Sequence, residues 1–311
     1  MVHDPGAPPL LPEGRPLELP GRGTTFVREV TGPPGAPVLV LLHGWTATAA
    51  LNWFPSFDPL GRHFRVLALD HRGHGQGIRS RQPFRLEDCA DDVAALAELF
   101  GIAQLIPVGY SMGGPIATLM WLRHRSLVQG MVLCATAGRF IGNRPTDRLY
   151  AQGMLGLSLA ANLSPDGLRR RAMARYVNNR LDGTDLARWA AEELARNDPG
   201  ALLRAGAALG GFDARLWLPN IDVPTAVIVT EEDRIVPPAN QRALAQAIPE
   251  AEVFDVAGDH AACVGDSPPF VPVLVTACRR VARRVARRAA EPVPVPLPTT
   301  TWPARWRPPP P

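Results

Sequence analysis

The chain is 311 residues long, 46% hydrophobic and 20% charged, which suits one large folded domain with a filled core and excludes a disordered or fibrous chain. It contains no apolar run long enough to cross a bilayer, and its first residues, MVHDPGAPPLLPEGRP, carry proline, glycine and acid where a secretory leader needs an apolar stretch, so a cytoplasmic location is expected. The formal charge of +4 hides a division: from Arg279 onward eight arginines face one glutamate, giving +7, and the rest of the chain is −3, so the basic balance does not point to nucleic-acid binding by the core and none is expected.

In chain order, residues 1–23 are rich in Pro and Gly and read as a flexible lead. TTFVREV (Thr24–Val30) alternates like an edge strand, and APVLVLLHG (Ala36–Gly44) is a continuous aliphatic run of the kind buried on both faces of a sheet. FRVLALDHRGHG (Phe64–Gly75) repeats that design. LEDCADDVAALAELFG (Leu86–Gly101) has helical periodicity, with acid at its start and glycine after its end. LIPVGYS and LVQGMVLCATA are further buried strands, separated by the helix GGPIATLMWLRHR. This strand–helix alternation predicts an α/β fold with a doubly wound, parallel sheet and helices on both faces.

The rhythm breaks over residues 138–219, where no strand is evident and helical stretches such as LARWAAEELARND predict an inserted helical cap. It resumes with VPTAVIVTEEDRIVPP, the helix ANQRALAQAIP, the strand AEVFDVAGDH and a last helix from about Pro269. The core is therefore expected over 24–137 and 220–290. Residues 291–311 are too rich in proline to pack and are expected to be disordered. Cys89, Cys134, Cys263 and Cys278 form no C-x-x-C pair and are expected as reduced core thiols.

Gly109-Tyr110-Ser111-Met112-Gly113 lies where a buried strand runs directly into a helix. A tight turn there would hold Ser111 strained with its hydroxyl exposed, and the flanking glycines would let neighbouring backbone approach. A serine hydroxyl needs a base within hydrogen-bond reach. Only His124 and His260 follow Ser111; His124 lies inside a helix, whereas His260 follows the last strand at the sheet edge where ligands bind, which selects His260. The loop after the penultimate strand offers Glu231, Glu232 and Asp233 as the acid that orients the imidazole; Asp233 is the choice and Glu232 the alternative. An oxyanion needs preorganised donors, for which the backbone N–H groups of Met112 and Trp45 are the candidates, with His43 bracing the loop. Trp45 and Trp53 could line an acyl pocket or fill volume.

Taken together, LLHGW, ALDHRGHG, GYSMGG, TEEDRIVP and GDHAACV resemble the α/β-hydrolase fold family over about Phe26 to Ala277. The resemblance implies an eight-stranded, mostly parallel sheet, a helical cap over the pocket and a Ser111–Asp233–His260 triad that works without metal or organic cofactor. Family members that act on haloalkanes or epoxides carry aspartate at the nucleophile position, so Ser111 points instead to ester, lactone, thioester or carbon–carbon bond hydrolysis, or to perhydrolysis. A non-catalytic binding member is the reading from another class. Leu149, Met154, Leu155, Leu157, Leu159 and Leu163 would make an apolar roof or, as such stripes more often do, simply the cap's own core, and the expected partner is a small, uncharged, moderately hydrophobic ester. Within RRVARRVARRAA (Arg279–Ala290) the four-residue repeat gathers arginines on one side and Val281 and Val285 on another. It is expected mainly to extend the last helix, with a weak contact to anionic surfaces open.

Overall fold

The computed structural model describes residues 9–140, 185–264 and 270–290. Eight strands are present among them: β1 (Gly14–Leu19), β2 (Gly23–Val30), β3 (Val38–Leu42), β4 (Arg65–Leu69), β5 (Ile106–Tyr110), β6 (Met131–Cys134), β7 (Thr225–Thr230) and β8 (Glu252–Val256). The α-helices are α1 (Ala49–Trp53), α2 (Phe57–Gly61), α3 (Leu86–Leu99), α4 (Gly113–Arg123), α5 (Asp185–Ala195), α6 (Pro199–Gly210), α7 (Pro238–Ala247) and α8 (Phe270–Ala290).

The strands form one sheet in the order β1-β2-β4-β3-β5-β6-β7-β8, with β1–β2 and β2–β4 antiparallel and every other pair parallel. The aliphatic runs become central strands because each residue has a layer to enter, whichever way it points. Val40 and Leu42 of β3 pack with α3 and α4, while Leu39 and Leu41 pack with Trp53, Phe57 and α8 on the other face. All four are at most 1% exposed. Burial of this kind stabilises by roughly 25 cal/mol per Å² of apolar surface, which is why an alternating pattern is absent where both faces are covered.

The N-terminal expectation needs correction. Residues 14–19 are not part of a flexible lead but form the edge strand β1, and β2 lies one position in, between β1 and β4. Pro16 hid this, yet a proline is tolerated on an edge strand because no second neighbour needs its missing N–H. Leu19, fully buried, is what β1 contributes to the core. The Pro20–Arg22 turn that reverses the chain closes with Arg22 N donating to the Leu19 carbonyl at 2.9 Å, with Gly21 at φ +70°. Two short helices that the sequence reading passed over, α1 and α2, follow β3 and bury Trp53, Phe57 and Leu60.

Between β6 and β7 lie α5 and α6, separated by a short non-helical junction over residues 196–198. Asp198 starts α6 by accepting from the Ala201 amide at 2.8 Å, with Pro199 in the first turn, where its missing N–H costs nothing. The α5–α6 junction is tied to the loops after β3 and β4. The Trp45 indole donates to the Leu202 carbonyl (2.7 Å), the Thr48 hydroxyl to Glu193 (2.6 Å) and the Asn197 amide to the Thr46 carbonyl (2.7 Å), while Gly75 N donates back to Asn197 (2.8 Å). The leucine-rich residues from Leu149 to Leu163 lie outside the described residues, as do residues 1–8 and 291–311. No helix among the described residues is long and apolar enough to cross a membrane. All four cysteines are buried and free.

Candidate active site

Ser111 sits between the end of β5 and the first turn of α4 with φ +51°, in the left-handed region that costs a non-glycine residue about 1–2 kcal/mol. The surrounding glycines make this turn sterically possible. A Cβ on Gly109 would come within 2.3 Å of the Gly113 carbonyl oxygen, and one on Gly113 within 2.1 Å of the Leu42 carbonyl oxygen. The chain therefore reverses from strand to helix tightly enough to leave the Ser111 side chain at the carboxyl edge of the sheet. The Thr136 hydroxyl donates to the Ser111 carbonyl at 2.7 Å and Ser111 N to the Cys134 carbonyl at 2.9 Å, which pin the strained residue to β6.

The residues selected from the sequence meet here. His260 Nε2 lies 3.0 Å from Ser111 Oγ, and His260 Nδ1 lies 2.7 Å from Asp233 Oδ2. His260 comes from the loop after β8 and Asp233 from the loop after β7, so parallel neighbours in the sheet bring side chains 149 and 27 residues apart in sequence into one line. Glu232, the alternative acid, is exposed, and Glu231 pairs with Arg242. His124 pairs instead with Asp91 at the end of α4.

Asp233 is held by more donors than the imidazole. Its Oδ1 accepts from the amides of Ile235 and Val236, each at 2.8 Å, and its Oδ2 from the Thr230 hydroxyl at 2.9 Å and from Gln241 Nε2 at 3.2 Å. Burial pushes the carboxyl up. The hydrogen bonds from His260 and Val236, the nearby imidazole charge and the Thr230 hydroxyl pull further the other way and leave it below its ordinary value. An ionised Asp233 accepts from Nδ1–H and so leaves Nε2 free to take the serine proton.

The sequence reading missed three further polar residues. Gln241, fully buried on α7, bonds Thr230, Val236 and Asp233 together. The Tyr110 hydroxyl donates to the His260 carbonyl at 2.9 Å, tying the base loop to the strand that carries the nucleophile. Asn52 Oδ1 accepts from Gly44 N at 2.8 Å and fixes the loop after β3. A buried polar side chain on the apolar face of a helix, as at Gln241 beside Leu244 and Ala245, is the one signal that could have found them.

Trp45 and Met112 both flank the site, and among the described residues no hydrogen bond uses either main-chain N–H. His43 braces this loop as expected. Its Nε2 accepts from His71 N at 2.9 Å, which places the ring proton on Nδ1, where it is donated to the Gly44 carbonyl at 2.8 Å. Burial drives His43 down to about 4, so it stays neutral. Of the two tryptophans, Trp53 is fully buried, edge-on to Tyr110, and fills volume, while Trp45 is partly exposed.

A hydroxyl, a hydrogen-bonded imidazole and a buried carboxylate, set on a strand-to-helix elbow with two unused amides alongside, can attack a carbonyl and steady the oxyanion that results. That combination of sheet and elbow is the architecture of the α/β hydrolases. Residues 37–266 match the family described as the alpha/beta hydrolase fold, and the chain belongs to it as a hydrolase. A pimeloyl-[acyl-carrier protein] methyl ester esterase from Chromobacterium violaceum is 30% identical over 225 residues, covering 70% of this chain and 85% of that one. Among solved structures, the enol-lactonase from Burkholderia xenovorans LB400 superposes with a TM-score of 0.69 at 26% identity, over 85% of this chain and 100% of that one. A hydrolase from Pseudomonas aeruginosa PA01 reaches a TM-score of 0.72 at 22% identity, over 86% and 98% of the two chains, a likeness of fold.

Proposed function

We propose that the protein cleaves an uncharged, moderately hydrophobic carboxylic ester in the cytoplasm, through an acyl-enzyme formed on Ser111. The continuous line Asp233–His260–Ser111, at 2.7 and 3.0 Å, carries this reading. His260 takes the Ser111 proton as Oγ attacks the carbonyl carbon and returns it to the leaving alcohol; water then enters by the same path, and the acid is released. The amides of Trp45 and Met112 receive the oxyanion. Two relatives that bear the names of a methyl ester esterase and an enol-lactonase support an ester or lactone bond as the target. The apolar sequence from Leu149 to Leu163 supports a substrate without charge near the bond.

A fluorophosphonate probe should label the wild type and leave Ser111→Ala unlabelled. With p-nitrophenyl esters of increasing chain length, kcat for Ser111→Ala or His260→Ala should fall on the order of 10⁴-fold. Folded wild type that takes no label would favour a binding protein instead, and hydrolysis confined to charged esters would overturn the substrate class.

A further inference from the structure

The six arginines of α8 divide into two rows with different surroundings. Arg280, Arg284 and Arg288 turn toward the β8 edge. Arg280 donates to Glu252 (2.9 Å), Arg284 to Glu250 and Glu252 (3.2 and 3.3 Å), and Arg288 to Glu250 (3.0 Å) and the Asp222 carbonyl. Arg279, Arg283 and Arg287 are exposed, and among the described residues none of them has a hydrogen-bond or ion-pair partner. Spaced four residues apart, they form a row about 12 Å long. Two residues further round the helix, roughly 200° away, Val281 is buried and Val285 packs beside it over Gly130. The helix is thus fixed to the fold by its valine stripe and clamped on one flank by Glu250 and Glu252, which leaves the second row exposed, with Arg283 and Arg287 bordering the groove that holds the two glutamates.

We propose that the Arg279–Arg283–Arg287 face is a docking surface for an anionic phospholipid bilayer. Among the described residues no carboxylate pairs with it, and the sequence after α8 holds one acidic side chain, Glu291, against Arg305 and Arg307. The chain before Arg279 is net −3 while the stretch from Arg279 onward is +7, so a negative surface repels the body and attracts this end, which orients the molecule as well as binding it. The exposed part of α8 from Arg279 to Ala290 consists of arginine and alanine alone. It carries no aromatic ring or side-chain amide to stack on or read a base, as a nucleic-acid partner would call for, whereas a straight row of guanidinium groups matches a plane of phosphates.

Sedimentation of the full chain with phosphatidylcholine vesicles containing phosphatidylserine, against vesicles of phosphatidylcholine alone, tests the assignment. Binding should require phosphatidylserine and weaken as salt is raised. The triple variant Arg279→Gln, Arg283→Gln, Arg287→Gln should partition on the order of 100-fold less, at an unchanged thermal midpoint. A charge-matched control with Arg81→Gln, Arg85→Gln and Arg188→Gln should bind like the wild type. Equal loss in both triples would make the attraction a property of overall charge and overturn the proposal. So would wild type that ignores both kinds of vesicle, or that binds an oligoribonucleotide at physiological salt but not the lipid.

Discussion

Gln241 shows how much of this site is set by residues that never meet substrate. Its amide accepts from Thr230 N and donates to Asp233 and the Val236 carbonyl, so a single side chain fixes the end of β7, the acid and the start of α7. Gln241→Leu keeps the volume and removes every bond. We expect kcat to fall about 10- to 100-fold with KM little changed, because an acid displaced by a fraction of an ångström still leaves the binding surface intact. A loss confined to KM would assign Gln241 to the pocket instead. Gln241→Glu, which keeps the acceptor but sets a carboxylate against Asp233, should be no better than Gln241→Leu.

At the scale of elements, the parallel strands and long helices were legible because their patterns repeat. β3 is an unbroken aliphatic run and β4, β5 and β7 are apolar over most of their length, and α3 and α8 keep a clean helical period. The nucleophile, base and acid could be placed because each stands in the loop after a readable strand. What escaped were β1, masked by Pro16 and the turn that follows, and α1 and α2, each five residues long and too short to show a period. The hydrogen bonds of Tyr110, Asn52 and Gln241 escaped for another reason: Tyr110 meets His260 from 150 residues away, and those of Asn52 and Gln241, though they span only 5 to 11 residues, depend on how a loop folds back onto the helix after it. The packing of α8 gives a direct check on this level. Leu274 is fully buried in the layer with Phe270 and Cys278, and Leu274→Ala should cost about 2–5 kcal/mol in urea unfolding. A loss well below that range would mean that α8 is only loosely seated.

Across the whole molecule, acid should find one particular weakness. His43, His71 and His74 are packed under the loop after β3, with ring centroids 4.3 and 5.3 Å from His43 to the other two. Burial, against the opposing hydrogen bond to the Gly44 carbonyl, sets His43 to about 4, and burial followed by repulsion from neighbouring imidazoles sets His74 to about 3 and His71 well below its ordinary value. Each is depressed, so the unfolded chain binds protons that the folded chain refuses between pH ~6.5 and ~4. Stability conferred by keeping the three neutral is complete above that window and is lost as pH falls through it. The slope approaches ~1.4 kcal/mol per pH unit for each histidine. Asp233, depressed in its turn, adds a loss only below its unfolded value of ~3.9. Urea midpoints at pH 7.5 and 5.0 should therefore separate widely. Coincident midpoints would contradict the burial of this trio.

The conformation of Ser111 has an implication for how such a protein could drift. A residue with φ +51° is comfortable only as glycine, so a lineage released from the need to hydrolyse anything would gain by abandoning its nucleophile. Ser111→Gly should melt higher than Ser111→Ala, by about 1 kcal/mol, although both have lost the same hydroxyl and neither turns over. Reactivity here is maintained against the preference of the backbone. The first sign of an idle descendant would be a sturdier protein with a glycine at this bend.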